Sequence, residues 1–141
     1  MHKIIYFSSA TKPLNEEEIN LLLAKAHHYN LEKGITGVLL YLEGDFLQVL
    51  EGRKIDVVHL FNKIKKDSRH KLIITIFDNE INKRQFPEWS MGFHSSTYEK
   101  LRNIKGLEQL EKRDLVNIND KAALTFLNIF IKSHKGEISF W

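Results

Sequence analysis

The chain is predicted to fold as an α+β domain, one sheet carrying two amphipathic helices on a single face, followed by C-terminal helices. Three observations carry this expectation. Residues 34 to 52, GITGVLLYLEGDFLQVLEG, form two apolar runs around Leu42-Glu43-Gly44-Asp45, the pattern of an antiparallel hairpin. Segments with the helical period stand on either side of that hairpin. Further strand-like runs, Lys3 to Ser8 and Leu72 to Phe77, lie outside those helices.

Lys3 to Ser8 alternates as a strand, with Ile5 and Phe7 facing one way and Ile4 and Tyr6 the other. Asn15 suits a helix N-cap, Glu16 and Glu17 suit the positive helix start, and Glu18 stands where a capping-box partner belongs. Ile19, Leu22, Leu23 and Ala26 then give one apolar stripe, running down to His27, His28 and Tyr29 with Asn30 near the helix end. Gly34 and Gly37 bracket the start of the next strand. After the turn, Phe46, Gln48 and Leu50 share one face, and Leu47 and Val49 the other. Val57, Leu60, Phe61 and Ile64 repeat the helical period in a second helix that stops near Asp67-Ser68-Arg69-His70. Leu72 to Phe77 is β-branched and nearly continuous, which predicts a strand at the centre of the sheet.

Phe86-Pro87 disfavours helix, so Trp89 to Phe93 is expected to form a short fifth strand with Trp89 and Met91 on one face. The order β-α-β-β-α-β-β contains the split βαβ arrangement of ferredoxin-like folds. Right-handed crossovers would put both helices on the same side, leaving a groove between them for a flat ring. From Thr97 onward, Tyr98, Leu101 and Ile104 suggest a short helix closed by Gly106. Asp120 opens a longer helix with Ala122, Ala123, Phe126, Leu127, Ile129, Phe130 and Ile131, more apolar surface than one stripe requires. That surface is expected to cover the open sheet face, a second subunit, or both. The division is a domain over residues 1–96 and a helical extension over residues 97–141.

A chain of 141 residues with 43% hydrophobic content is long enough for one domain with a core of its own. No run approaches the roughly 18 apolar residues of a membrane span, and Met1-His2-Lys3 leads straight into a strand, so a cytoplasmic protein is expected. Zero cysteine removes disulfides, thiolate metal sites and thiol nucleophiles. The net charge of +3 is mild, and Lys63, Lys65, Lys66, Arg69 and Lys71 form a local cluster rather than a stripe across a face, which argues against nucleic acid. His27 and His28 are adjacent and no other pair has ligand spacing on one helix face, so no metal is expected.

Gln48 is an amide in a strand that is otherwise apolar, and a buried amide without partners costs about 1–3 kcal/mol. By itself it reads as a core glutamine bonded to backbone or water. Its company changes that reading: Tyr6 in KIIYFSS, Asn30 at the end of the first helix, Gln48 in FLQVLEG, and Trp89 with Met91 in WSM. In this order of elements the chain resembles the BLUF family, blue-light sensors that use FAD, over residues 2 to 95.

The resemblance implies a flavin-binding domain over residues 1–96 and FAD (or FMN) held without a covalent bond; the remaining length is expected to hold no catalytic domain, so no enzymatic activity is expected. It implies light-driven electron and proton transfer from Tyr6, a phenol that stays neutral until oxidised, and rearrangement of the hydrogen bonds of Gln48. Trp89 and Met91 are the implied carriers of the signal. Tyr6, Leu22, Asn30, Gln48 and Ile64 are the expected contacts to the ring, and Lys63, Asp67, Arg69 and His70 those to the ribityl-phosphate tail. Asn30 alone reads better as a left-handed helix cap, and such a charged cluster alone is more often a solvated helix end. The remaining length leaves no room for an effector domain, so the output is expected through a homo-oligomer and an unidentified protein partner, without membrane or nucleic acid.

Two other classes stand beside this one. A flavin oxidoreductase or an acyl-phosphate hydrolase could use the same fold, but the hydrolase needs an arginine in the loop after the first strand, where Ser8-Ser9-Ala10-Thr11 stands. An RNA-binding module would show exposed aromatic and basic residues on central strands, which here read Ile4-Ile5 and Leu72-Ile73-Ile74.

Overall fold

The structure, a computed structural model, describes residues 1–133. The last eight residues of the expected extension therefore lie outside it. The elements follow as β1 (His2–Ala10), α1 (Glu16–Lys33), β2 (Thr36–Leu42), β3 (Asp45–Gly52), α2 (Lys54–Lys66), β4 (His70–Glu80) and β5 (Gly92–Ser96), then α3 (Tyr98–Leu101), α4 (Lys112–Val116) and α5 (Asp120–Ser133). The fold class is α+β, as the residue pattern predicts. No described helix is long and apolar enough to cross a membrane.

Local chemistry explains where the elements begin and turn. The Asn15 side chain accepts from Glu18 N while the Glu18 side chain accepts from Asn15 N, a reciprocal capping box that opens α1. Gly34, with φ +69°, closes the helix in the left-handed region that a Cβ disfavours. Between β2 and β3 only Glu43 and Gly44 intervene, both with positive φ, the primed turn whose twist matches a tight hairpin.

The five strands lie in the order β4-β1-β3-β2-β5. β3 runs antiparallel to both β1 and β2, β4 runs antiparallel to β1, and β5 lies parallel to β2. This corrects the expectation for residues 72 to 77, because β4 is an edge strand and β3 is the central one. An apolar run reads the same whether both edges of a strand are paired or one is free. β4 satisfies its apolar side chains from its two faces, with Ile74, Ile76 and Phe77 on one and Ile73 on the other, while Leu72 stays 43% exposed.

Side-chain alternation divides the core in two. Ile4, Tyr6, Leu39, Phe46 and Leu50 meet Leu23 of α1 and Val57 and Phe61 of α2 on one face. Ile5, Phe7, Leu40, Leu47 and Val49 meet Tyr98, Leu101, Leu115, Phe126, Leu127 and Phe130 on the other. The apolar surplus of α5 is thus used on the open sheet face. α4, five residues long, is an element the periodicity does not announce.

One buried cluster fastens the C-terminal helices to the hairpin. Asp45, 3% exposed, accepts from Ser9 Oγ at 2.8 Å and Tyr98 Oη at 2.7 Å, and its Oδ1 lies 3.0 Å from Lys112 Nζ. Burial, with the Asp45 hydrogen bond second, holds the Tyr98 phenol far above its ordinary pKa. Tyr98→Phe should cost about 1.5–3 kcal/mol, the range for hydrogen bonds to charged groups, because Asp45 then keeps only Ser9 and Lys112. Urea unfolding followed by tryptophan fluorescence reads this as a lower midpoint at unchanged slope.

Candidate functional site

Tyr6 of β1 and Gln48 of β3 are directly opposite in the antiparallel ladder, and Leu39 of β2 is the next residue in the same row. In that register the Tyr6 hydroxyl donates to Gln48 Oε1. The other end of the amide is also engaged, since Gln48 Nε2 donates to Met91 Sδ at 3.3 Å. The β1–β4 pairing slips between Ile5 and Tyr6, and such bulges re-aim side chains beside functional sites. Tyr6 is 2% exposed and packs on Phe61 with ring centroids 5.2 Å apart. Burial, and after it the charge of Asp67, pushes the phenol pKa well above its ordinary value, so Tyr6 holds its proton throughout the working pH range.

Above this row, α1 and α2 leave a cavity of about 230 Å³. Its walls include Tyr6, Leu22, Asn30, Gln48, Lys63, Ile64, Asp67, Arg69 and His70, every residue expected to touch a ring or its tail. Lys25, Ala26, Tyr29, Leu39, Phe46 and Leu60 line it as well and were not among the expected residues. Four of these carried a readable signal: Ala26 belongs to the apolar stripe of α1 and Tyr29 to its lower end, Leu60 belongs to the stripe of α2, and Phe46 shares the face of Gln48. Lys25 and Leu39 were not singled out by any pattern. Lys63 Nζ sits 5.0 Å from the centroid of the Tyr29 ring at the cavity wall, a cation–π contact.

Asn30 is 1% exposed and lies inside the last turns of α1, while Gly34 makes the left-handed cap. Its Nδ2 donates to the carbonyl of Ser90 at 2.8 Å, and its buried Oδ1 has no hydrogen-bond partner among the described residues. A buried acceptor without a donor is uncommon and points to a ligand N–H on the cavity side. Asn30 therefore links the cavity wall to the loop after β4.

That loop departs from the expected strand. β5 begins only at Gly92, and Trp89 to Met91 form an irregular bend. Gly37 N donates to the Trp89 carbonyl at 3.0 Å while Asn30 takes the next carbonyl, so consecutive peptides are held by different elements and two-residue alternation fails. Met91, fully buried, enters the core under the two helices beside Gln48. Trp89 packs against the opposite core, stacked on Phe86 at 5.8 Å between ring centroids. The two side chains do not share a face.

The polar end of the cavity is electrostatically ordered. Arg69 Nε donates to Asp67 Oδ1 at 3.0 Å, and this hydrogen bonding leads the causes that lower the Asp67 pKa to about 2. His70 Nδ1 shares a 2.8 Å hydrogen bond with Ser8 Oγ, and burial holds the imidazole pKa below its ordinary 6.5. Below pH 6.5 the unfolded chain then takes up the His70 proton before the folded one, so stability falls with falling pH. Asp67 has the depressed carboxylate's sign: its contribution is full above 3.8 and is lost as pH falls toward 2. Thermal midpoints of wild type and His70→Asn should run parallel above pH 6.5 and converge or cross below it, with wild type losing more. Among the described residues no group of three or more His, Cys, Asp or Glu side chains could hold a metal ion.

Comparison with known proteins places this geometry. The family model described as BLUF, sensors of blue-light using FAD, matches residues 1–92. The beta subunit of photoactivated adenylate cyclase from Euglena longa is 35% identical over 108 residues, 76% of this chain. The chain spans only 12% of that relative's length, and 12% of the length of its Euglena gracilis counterpart. Among solved structures, BlsA in its photo-activated state is similar with a TM-score of 0.70 at 30% identity, covering 90% of this chain and 91% of that one. BlrB in the dark state, described as a BLUF protein, gives 0.68 at 28% identity, with 89% and 93% covered.

Proposed function

The chain belongs to the BLUF family of flavin-binding blue-light sensors, and from that premise we propose that Tyr6 is its electron and proton donor, Gln48 its switching group, and protein contacts its output. The observation that carries this is the row Tyr6–Gln48–Met91, a phenol, an amide and a thioether joined by two hydrogen bonds against one cavity. The residues present fit the family's cofactor. Asn30 Oδ1 is a buried acceptor awaiting an N–H, Leu22 and Ile64 give apolar walls, and Lys63, Arg69 and His70 stand at the polar end.

Bound flavin supplies blue-light absorption and, once excited, a strong one-electron oxidant. Everything else is the work of this chain's side chains. Oxidation turns a phenol into a strong acid, and Gln48 Oε1 already accepts the Tyr6 proton's hydrogen bond. Gln48 turned end for end would place Nε2 toward Tyr6 and Oε1 toward Met91 Sδ, where no donor exists. The two orientations thus differ in whether Met91 is held. Each such bond is worth about 1 kcal/mol net, enough to bias an element with two nearly equal packings and too little to drive a stable one.

In this reading residues 1–96 sense light and residues 97–141 transmit the result, the chain is not an enzyme, and it works in the cytoplasm with a second copy of itself and a further protein partner. The similarity to BlsA in its photo-activated state, over 90% of this chain, supports a light-sensing role that includes the helices after residue 96. Tyr6→Phe tests the donor role: the purified variant should keep flavin and lose the light-induced change in flavin absorption. A normal change in that variant would refute the assignment.

A further inference from the structure

Glu51 lies three residues beyond Gln48 on β3 and therefore on the other face of the sheet, with no exposed surface. It does not line the cavity. Its carboxylate is nevertheless heavily engaged. Gln85 N donates to Oε2 at 2.8 Å and to Oε1 at 3.1 Å, and Phe86 N donates to Oε1 at 2.8 Å. Lys3 Nζ lies 3.2 Å from Oε2 and also donates to the Gln85 side-chain oxygen at 2.9 Å. Arg84 adds a bond from its guanidinium to the Glu51 backbone carbonyl at 3.2 Å.

All of these bonds except the Lys3–Glu51 ion pair fasten the segment that leads, five residues after Phe86, to Met91. That segment has no helix or strand of its own between Ile81 and Met91, so its position depends on such anchors. We infer that Glu51 is a positioning residue for the Gln48 switch, acting from the far face of β3 by holding the loop that delivers Met91 Sδ to Gln48 Nε2. The inference rests on the proposed role of Gln48. The central strand then carries the switching amide on one face and the clamp for that amide's acceptor on the other.

Glu51→Gln tests this. An amide replaces one acceptor oxygen with a donor that cannot receive an N–H, so one of the Gln85 and Phe86 bonds is lost. The variant should retain flavin, because Glu51 faces away from the cavity and does not line it. Hydrogen exchange at the Gln85 and Phe86 amides should accelerate in the dark. Dark recovery of the flavin spectrum should slow by roughly three- to tenfold, the equivalent of one weakened hydrogen bond in the state recovered to. In a Met91→Leu background the same substitution should change recovery by less than about twofold, since the acceptor it positions is gone.

Recovery within about twofold of wild type despite faster amide exchange would overturn the inference. So would an undiminished slowing in the Met91→Leu background. Should Glu51→Gln fail to fold, Lys3→Met removes the ammonium from both Glu51 and Gln85, and the same pattern is expected at smaller size. Absence of any reversible shift in the wild-type chain is a separate failure, that of the Gln48 reading itself, and is told apart because Glu51 is then in place.

Discussion

Gln48→Leu is expected to abolish the light-induced shift of the flavin spectrum while leaving flavin bound. Leucine has nearly the same bulk and suits a position that is 7% exposed between Tyr6 and Leu39. It supplies neither the acceptor for Tyr6 Oη nor the donor for Met91 Sδ. An unsatisfied buried hydroxyl costs about 1–3 kcal/mol, partly offset by the extra apolar burial, so the fold persists. What disappears is the amide between Tyr6 and Met91 whose donor and acceptor can exchange places. A light-minus-dark spectrum of the purified variant checks this, and a shift of normal size would show that some other residue is the switch.

Gly37→Ala should be the most damaging single substitution in the sheet. A Cβ built on Gly37 would lie 1.8 Å from the Val49 carbonyl oxygen and 2.8 Å from its carbon, both backbone atoms of the central strand. β2 must then part from β3 one residue from Gln48, and Gly37 N must release the Trp89 carbonyl. The cost should reach about 4 kcal/mol or more, beyond the usual range for overpacking. Gly44 makes the comparison: it has φ +93° and no neighbour within 4 Å of its Cβ position. Gly44→Ala meets only left-handed strain of about 1 kcal/mol. Thermal unfolding should show Gly37→Ala lowered by roughly 10–20 °C and Gly44→Ala by only a few degrees.

Much of this architecture is written in local pattern. The alternation of Ile4 to Phe7 and of Phe46 to Leu50 already assigns each side chain to its face, and the two cores divide along those lines. Asn15 and Glu18 announce the capping box, and the nine residues that the family resemblance names as flavin contacts line one cavity. What escaped depends on partners far away in the chain. Whether residues 72 to 77 are central or at an edge is decided by which strands pair beside them, and hydrophobicity does not encode that. The separation of Trp89 from Met91 follows from Gly37 and Asn30 seizing two successive carbonyls, a tertiary event that breaks the two-residue rhythm. Asn30 reads in the sequence only as a ring contact or a helix cap; that its Nδ2 donates to Ser90 and leaves Oδ1 as the unpaired end among the described residues is decided by the fold. Glu51 reads in the sequence as a polar strand end, and only its burial under residues 85 and 86 reveals an anchor.

The central claim is that this chain senses blue light by rearranging hydrogen bonds around Gln48. Its most direct test is a difference spectrum of the purified wild-type chain, reconstituted with FAD, before and after blue illumination and through dark recovery. The expected result is a small red shift of the oxidised flavin bands, without loss of their intensity, that reverses completely in the dark. Bleaching of those bands, or an unchanged spectrum with flavin demonstrably bound, would contradict it.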